Sequence, residues 1–194
     1  MKIIRKHYGT IELGSSIVLS DPCYEPDTWC SATLHIMRPG IYDCYADFCD
    51  QSEWGLRVAR LVIVPAETNE TLDYRHEIQA CLCVDAGVFG VYDRTYFHRK
   101  KSENAEAWYD TNVLSWSMKE EAFICEDGKG FITTSGFGDG VYEAFCSHDE
   151  SGRINAISVV FIQPEEDDKE GFEVINMVDN ETDLSCIKEI LKNS

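Results

Sequence analysis

Basic residues are scarce in this sequence: 17 lysines and arginines stand against 35 aspartates and glutamates, a formal net charge of −18 at pH 7. A surface with this charge repels the phosphates of nucleic acids and of anionic membranes. The acidity either serves solubility alone or imitates a nucleic acid in a partner's binding groove. The composition therefore argues against direct nucleic-acid binding and favours a basic protein partner or a small ligand.

Long apolar runs are also missing. The longest aliphatic runs, "LVIV" at 61–64 and "VVFI" at 159–162, suit single strands and are far too short to span a bilayer. The N-terminal residues carry charges and lack the apolar stretch of a signal peptide. The nine cysteines are an odd number, so they cannot all pair within one chain. We therefore expect a cytoplasmic protein without membrane association, whose cysteines, including Cys81 and Cys83 on one face of a predicted strand, are reduced and mostly packed as small apolar residues.

Strand-like segments follow one another along most of the chain, and turn residues separate them. Three such turns, at 38–40, 85–87 and 149–152, each lie between two strand-like segments and are typical of β-hairpins. The alternation of strands and helices that a doubly wound nucleotide fold requires is absent. The sequence predicts an α+β protein made mainly of antiparallel β, a hairpin-rich sheet or sandwich, with residues 1–194 forming a single domain.

Helical patterns are limited to two segments. Apolar residues recur at three- and four-residue spacing from Thr182 onward, which predicts an amphipathic C-terminal helix at about 182–192. A second, short helix is predicted near 102–118, with Ser102 as its cap. The acidic segment 164–171 is interpreted as a solvated loop.

The most unusual segment is a glycine-rich loop between two predicted strands. Gly136, Gly138 and Gly140 occupy every second position, and Asp139 lies between the last two. Because a strand follows and no lysine is present, the loop matches neither a dinucleotide fingerprint nor a P-loop. Glycines permit positive φ angles and close approach of the backbone to a neighbour. That neighbour is either the protein's own domain, as in a bulged hairpin, or a bound molecule.

An ordered set of motifs surrounds this loop. It consists of "VDAGVFGVYD" (84–93), "AWYD" (107–110), "GFITTSGFGDGVYEAF" (130–145) and "GRINAISVVFI" (152–162). Over roughly residues 84–162 the set resembles the domain of unknown function 4241 family of bacterial and phage proteins. In that family a "D-[AS]-G" turn is similarly followed by an "SGxGDGxY" loop. "LSDPCY" (19–24) is similar to a phage-type version of the same family. Since the family's activity is unknown, the resemblance implies a fold and a region of interest, and no reaction.

Three aspartates share a position at the end of a predicted strand: Asp21, Asp85 and Asp139. Carboxylates that converge at one edge of a sheet bind Mg²⁺ or Ca²⁺ through their oxygens. Aspartates in turns also commonly accept hydrogen bonds from their own backbone, and both interpretations stay open. Among the neighbouring aromatic residues, Phe137 at the loop tip and Tyr142 after it are candidates for stacking on a ligand or docking a partner.

The cysteines allow two further hypotheses. Cys23, Cys30, Cys44 and Cys49 are potential zinc ligands, although only the last pair approaches the usual ligand spacing. Cys23, which lies at a turn, is also a candidate nucleophile, although no histidine is recognisable as its base.

Together these features favour a non-catalytic binding protein, an accessory or inhibitor of a phage or mobile element, that acts through its acidic surface and the glycine-rich loop. We expect no cofactor, and the oligomeric state stays open. The alternative is a small metal-dependent hydrolase that uses the three aspartates. The residues predicted to bind the partner or ligand are Asp139, Gly136, Gly138, Gly140, Phe137, Tyr142, Asp85 and Asp21.

Overall fold

A computed structural model of the chain describes residues 1–66, 74, 76–117, 119, 121–164 and 171–194. Its strands are β1 (Lys2–Leu13), β2 (Ile17–Ser20), β3 (Ala32–Leu34), β4 (Gly40–Asp50), β5 (Leu56–Pro65), β6 (His76–Glu77), β7 (Leu82–Val84), β8 (Val88–Asp93), β9 (Ala122–Ile124), β10 (Gly130–Thr134), β11 (Gly140–His148), β12 (Ile154–Val160) and β13 (Glu173–Val178). Its helices are α1 (Arg94–Tyr109), α2 (Ser115–Ser117) and α3 (Leu184–Lys192), with a 3₁₀ turn at Ser52–Trp54 and a π-helical turn at Asp110–Leu114.

The strands form two sheets. The larger sheet has the order β13-β1-β4-β5-β12-β11-β6, and β7 also pairs with β11; the smaller sheet has the order β3-β2-β8-β10-β9. Pairing between the described strands is antiparallel except for the parallel pair of β1 and β13. The predicted α+β class, mainly antiparallel β with a C-terminal helix, is confirmed.

The smaller sheet has apolar residues on both faces because its strands send alternate side chains to opposite sides. Phe89 and Phe131 are buried in one apolar cluster with Leu61 of the larger sheet, so the two sheets share a core. The other face is covered by α1. Its cluster includes Val18, Tyr92, Phe97, Trp108 and Ile132.

One of the three predicted hairpins is present: the turn at 149–152 joins β11 to β12, and these strands pair. The turn at 38–40 leads instead from β3 in the smaller sheet to β4 in the larger. The turn at 85–87 leads from β7, which pairs with β11 of the larger sheet, to β8 in the smaller sheet. The glycine-rich loop also crosses between sheets, from β10 to β11. The hairpin predictions were wrong here because turn residues mark a change of chain direction and carry no information about which sheet receives the next strand.

The first helix begins earlier than predicted. Asp93 is the N-cap of α1, because its carboxylate accepts a hydrogen bond from the N–H of Tyr96 at 3.1 Å. Ser102 therefore lies inside the helix rather than at its start. Asn104, with φ −166° and ψ 88°, interrupts the helix, which continues through the π-helical turn to α2. Met118, the last residue of the predicted segment, lies outside the described residues.

The C-terminal helix agrees with its prediction. The carboxylate of Asp183 accepts a hydrogen bond from the N–H of Ser185 at 2.7 Å and caps α3, and Ile187 is fully buried. The helix packs against β1 and β4. Most of the predicted acidic loop, 164–171, lies outside the described residues. No helix in the described part of the chain is long and apolar enough to cross a membrane.

Candidate binding site at the glycine-rich loop

The glycine-rich loop, residues 135–139, is a tight turn held by its own polar groups. The N–H of Gly138 donates to the carbonyl oxygen of Ser135 at 2.9 Å, and the Ser135 hydroxyl donates to the carbonyl oxygen of Gly138 at 2.9 Å. The Tyr142 hydroxyl lies within hydrogen-bonding distance of both carbonyl oxygens, at 2.6 Å from that of Gly138 and 2.9 Å from that of Ser135. A Cβ on Gly140 would lie 3.3 Å from this hydroxyl. The loop is therefore fixed, with Phe137 at its tip.

Two glycines of the loop have positive φ, and their surroundings differ. Gly136 has φ +60°, and a Cβ there would lie 3.0 Å from Cγ1 of Ile162 and 3.1 Å from Cβ of Phe161. Gly138 has φ +107°, and a Cβ there would meet no atom within 4 Å. At Gly136, both the positive φ and the close core residues favour glycine. At Gly138, only the positive φ favours glycine.

Asp21 does not face solvent, contrary to the prediction. Its side chain is fully buried, and Oδ2 accepts hydrogen bonds from the N–H groups of Asp85 (2.8 Å) and Ala86 (2.7 Å). Oδ1 accepts one from the N–H of Cys23 at 2.8 Å. Because both oxygens bind backbone donors, this carboxylate anchors the β7–β8 connection to the turn after β2 and is not available to a ligand.

The other two predicted aspartates are exposed, on adjacent loops. The N–H of Ser135 donates to the carbonyl oxygen of Gly87 at 3.1 Å, which joins the glycine-rich loop to the turn that carries Asp85. Asp85 accepts a hydrogen bond from the hydroxyl of Tyr24, and this bond raises the pKa of the tyrosine. Asp139 lies on the exposed side of the loop. The structure thus brings together the two loops that the sequence analysis selected.

The metal hypotheses have no support in this arrangement. Among the described residues, no group of three or more His, Cys, Asp or Glu side chains is placed to hold a metal ion. The three predicted aspartates do not form such a group because Asp21 points into the protein. The four-cysteine zinc hypothesis fails similarly, since Cys44 and Cys49 are buried in the apolar core and Cys23 is exposed.

The thiol of Cys23 is not activated as a nucleophile. Partial burial, with the neighbouring Asp21, raises its pKa to about 12. A reactive cysteine needs a depressed pKa, because the thiolate is the attacking species. At this turn, Cys23 contributes its backbone N–H, which donates a hydrogen bond to the buried carboxylate of Asp21 at 2.8 Å.

The residue that the sequence analysis missed is Trp54. It ends the 3₁₀ turn, and its ring lies edge-on against the ring of Phe137, with centroids 6.0 Å apart and planes at 77°. Both rings are exposed to solvent, Trp54 by 67% and Phe137 by 55%. With Arg57 they line a groove of about 400 Å³, which we call the aromatic groove. A tryptophan inside the polar segment "DQSEWG" was the signal available in the sequence.

Acidic residues flank both aromatic side chains. Glu53 directly precedes Trp54 and is exposed, and Asp139 follows Phe137 by two positions and is also exposed. Arg57 lines the groove itself. The site therefore combines two large apolar side chains and Arg57 with an exposed acid close in sequence to each aromatic residue, a composition compatible with a partner that presents an apolar side chain among basic ones.

Comparison with known proteins gives no match for this chain, whether with family models, curated proteins or solved structures. The resemblance to the domain of unknown function 4241 family therefore stays a prediction.

Proposed function

We propose that this chain is a non-catalytic binding protein, of the accessory or inhibitor type, that docks a basic protein partner on the aromatic groove. The observation that carries the proposal is the edge-to-face contact between two exposed rings, Trp54 and Phe137, contributed by separate loops. Tryptophan and arginine are enriched among the residues that dominate binding energy at protein interfaces, and aromatic residues are enriched in interfaces generally.

The rigidity of the loop supports this role. The Tyr142 hydroxyl and the packing of Gly136 against Phe161 and Ile162 hold the loop before any partner arrives. A preorganised surface loses little conformational entropy on binding, so more of the contact energy appears as affinity.

The charge of the protein supports a basic partner. The formal net charge of −18 attracts a positively charged protein over long distances, and Glu53 and Asp139 continue this field up to the groove. We propose that an apolar side chain of the partner enters between Trp54 and Phe137 while its lysines or arginines face these two acids. The resemblance to bacterial and phage proteins makes a phage or mobile element the biological setting that we propose.

The test begins with capture of basic proteins from a bacterial lysate and identification of them by mass spectrometry. Each captured protein is then purified and titrated against the wild type and against Trp54→Ala, Phe137→Ala and Trp29→Ala. Trp29 is the matched control because it is an exposed tryptophan, 78% accessible, outside the groove.

We expect Trp54→Ala and Phe137→Ala each to weaken the Kd roughly tenfold or more, as truncation of a central interface aromatic does. Trp29→Ala should leave the Kd unchanged. Asp139→Asn should slow association and reduce its dependence on salt. If Trp54→Ala, Phe137→Ala and Trp29→Ala change the Kd equally, or if none of them changes it, the partner binds elsewhere on the surface.

A further inference from the structure

Two thiols contact each other beside the strand that supports the glycine-rich loop. The Sγ atoms of Cys81 and Cys83 are 3.5 Å apart. Cys81 is exposed, and Cys83, in β7, is 8% exposed. Residues two apart in an extended chain are separated by about 6.6 Å, which falls within the Cα spacing that a disulfide can bridge.

We propose that Cys81 and Cys83 are a thiol–disulfide pair that a low-molecular-weight disulfide, such as oxidised glutathione, oxidises reversibly. The Cys81 thiolate attacks one sulfur of oxidised glutathione, which forms a mixed disulfide and releases one glutathione thiolate. The Cys83 thiolate then attacks the Cys81 sulfur, which forms the internal disulfide and releases the second glutathione. The two released thiolates take up the protons that the cysteines lose, and two electrons pass from the protein to the oxidant.

The surroundings assign the order of the two steps. Cys81 is accessible to an external disulfide, whereas burial and the neighbouring Cys81 thiol raise the pKa of Cys83 to about 11. Cys83 is therefore a poor nucleophile toward molecules in solution. Its attack on Cys81 is intramolecular, and the short distance between the two sulfurs supplies the high effective concentration that this step needs.

The other exposed cysteines lack this arrangement. Cys23 and Cys186 are also exposed, but within the described part of the chain neither has another thiol within hydrogen-bonding distance. Apart from Cys23, Cys81 and Cys186, the cysteines are buried, and Cys83 is one of these six. Cys23→Ser therefore serves as the matched control, because it removes an exposed thiol that has no neighbouring thiol and should leave the reaction of Cys81 and Cys83 unchanged.

The internal disulfide would act on the strand pair that carries the loop. In the register of β7 and β11, Cys83 lies opposite Val141, Leu82 opposite Tyr142 and Val84 opposite Gly140. The extended spacing of about 6.6 Å lies at the upper end of the Cα range of a disulfide, whose most frequent value is about 5.5–6 Å. Closing the bond would therefore shorten the backbone between Cys81 and Cys83 and strain the pairing of β7 with β11. We therefore expect the amides of residues 140–142 to exchange with solvent faster in the oxidised protein.

The first experiment treats the reduced protein with oxidised glutathione, blocks free thiols by alkylation, and maps the products by mass spectrometry. The wild type should lose two hydrogens at a Cys81–Cys83 link that dithiothreitol reverses. Cys83→Ser should accumulate a glutathione adduct at Cys81, Cys81→Ser should form neither product, and Cys23→Ser should behave as the wild type. A persistent adduct at Cys81 in the wild type, a link to another cysteine, or no reaction would overturn the proposal.

The second experiment measures hydrogen exchange in both redox states. Oxidation should increase exchange at residues 140–142 in the wild type and leave Cys81→Ser unchanged after the same treatment. Because Cys81 is exposed, this serine variant keeps the fold and remains informative even where Cys83→Ser does not fold. Unchanged exchange in the oxidised wild type would overturn the coupling to β11. Neither readout depends on the docking function proposed above.

Discussion

At the scale of single residues, Gly136 is where the loop is most sensitive to an added methyl group. Alanine at φ +60° costs about 1–2 kcal/mol in backbone conformation. The contacts of its Cβ with Ile162 and Phe161, at 3.0 and 3.1 Å, add an overpacking cost of about 1–3 kcal/mol. We expect Gly136→Ala to lower the free energy of unfolding by about 2 kcal/mol or more, measured by urea denaturation.

Gly128 supplies the matched control for this substitution. Its φ is +62°, nearly that of Gly136, but a Cβ there would meet no atom within 4 Å. Gly128→Ala should therefore show only the conformational cost. If the two variants lose the same stability, the packing of the loop against the core is not what requires glycine at position 136.

Asp149 provides a prediction about acid stability. The Ser151 hydroxyl and the N–H groups of Ser151 and Arg153 donate to its carboxylate, and these bonds lower its pKa from 3.8 to about 2. Because the folded-state pKa lies below the unfolded value, the carboxylate stabilises the fold above about pH 4, and this stabilisation is lost as the pH falls through about 2.

Asp149→Asn removes this titration. The difference in unfolding midpoint between the wild type and the variant should be largest above pH 4 and should shrink between pH 4 and pH 2. The measurement is a series of urea denaturation curves across this range. A difference that stays constant with pH would show that the carboxylate's charge does not stabilise the turn.

At the scale of secondary-structure elements, α3 depends on one buried residue. Ile187 is fully buried where the helix packs on β1 and β4. Ile187→Ala should cost about 2–4 kcal/mol through lost burial and a residual cavity. Glu189→Ala, an exposed position on the same helix, should change stability little, and thermal unfolding of both variants tests the difference. A similar loss in both would mean that the burial of Ile187 is not what stabilises this element, since alanine has a higher helix propensity than either residue it replaces.

The sequence predicted elements best where local signals were sufficient. The period of Leu184, Ile187 and Ile190 located α3, and the structure adds Asp183 as its N-cap. The start of α1 was missed because Asp93 ends a strand and caps a helix at once. The pairing of Trp54 with Phe137 could not be predicted, because it joins loops far apart in the sequence.

At the scale of the whole molecule, charge gives the clearest expectation. With a formal net charge of −18, the protein should not bind duplex DNA at physiological salt. Fluorescence anisotropy with a labelled duplex tests this, and a polylysine titration under the same conditions serves as the positive control. A salt-sensitive shift of the DNA signal at micromolar protein would contradict the prediction.

The α+β class followed from composition and segment patterns, but the arrangement of two sheets did not. Turn signals at 38–40 and 85–87 were correctly located, yet each connects strands of different sheets. Partner choice depends on which faces complement each other after collapse, a non-local property that one strand's sequence does not encode. For the same reason Asp21 was predicted at an open edge, although it is buried against Asp85 and Ala86.

The repeated crossing between sheets has a consequence for the speed of folding. In the described part of the chain, the path changes sheet between β1 and β2, β3 and β4, β7 and β8, and β10 and β11. Many strands therefore pair with strands that are distant in the sequence. Closing the long loops between them costs conformational entropy before the new contacts stabilise the fold. We expect refolding from urea to take roughly milliseconds to seconds, as in other β proteins of high contact order. Stopped-flow fluorescence would follow it, and a microsecond phase that recovers the full signal would contradict this reading of the topology.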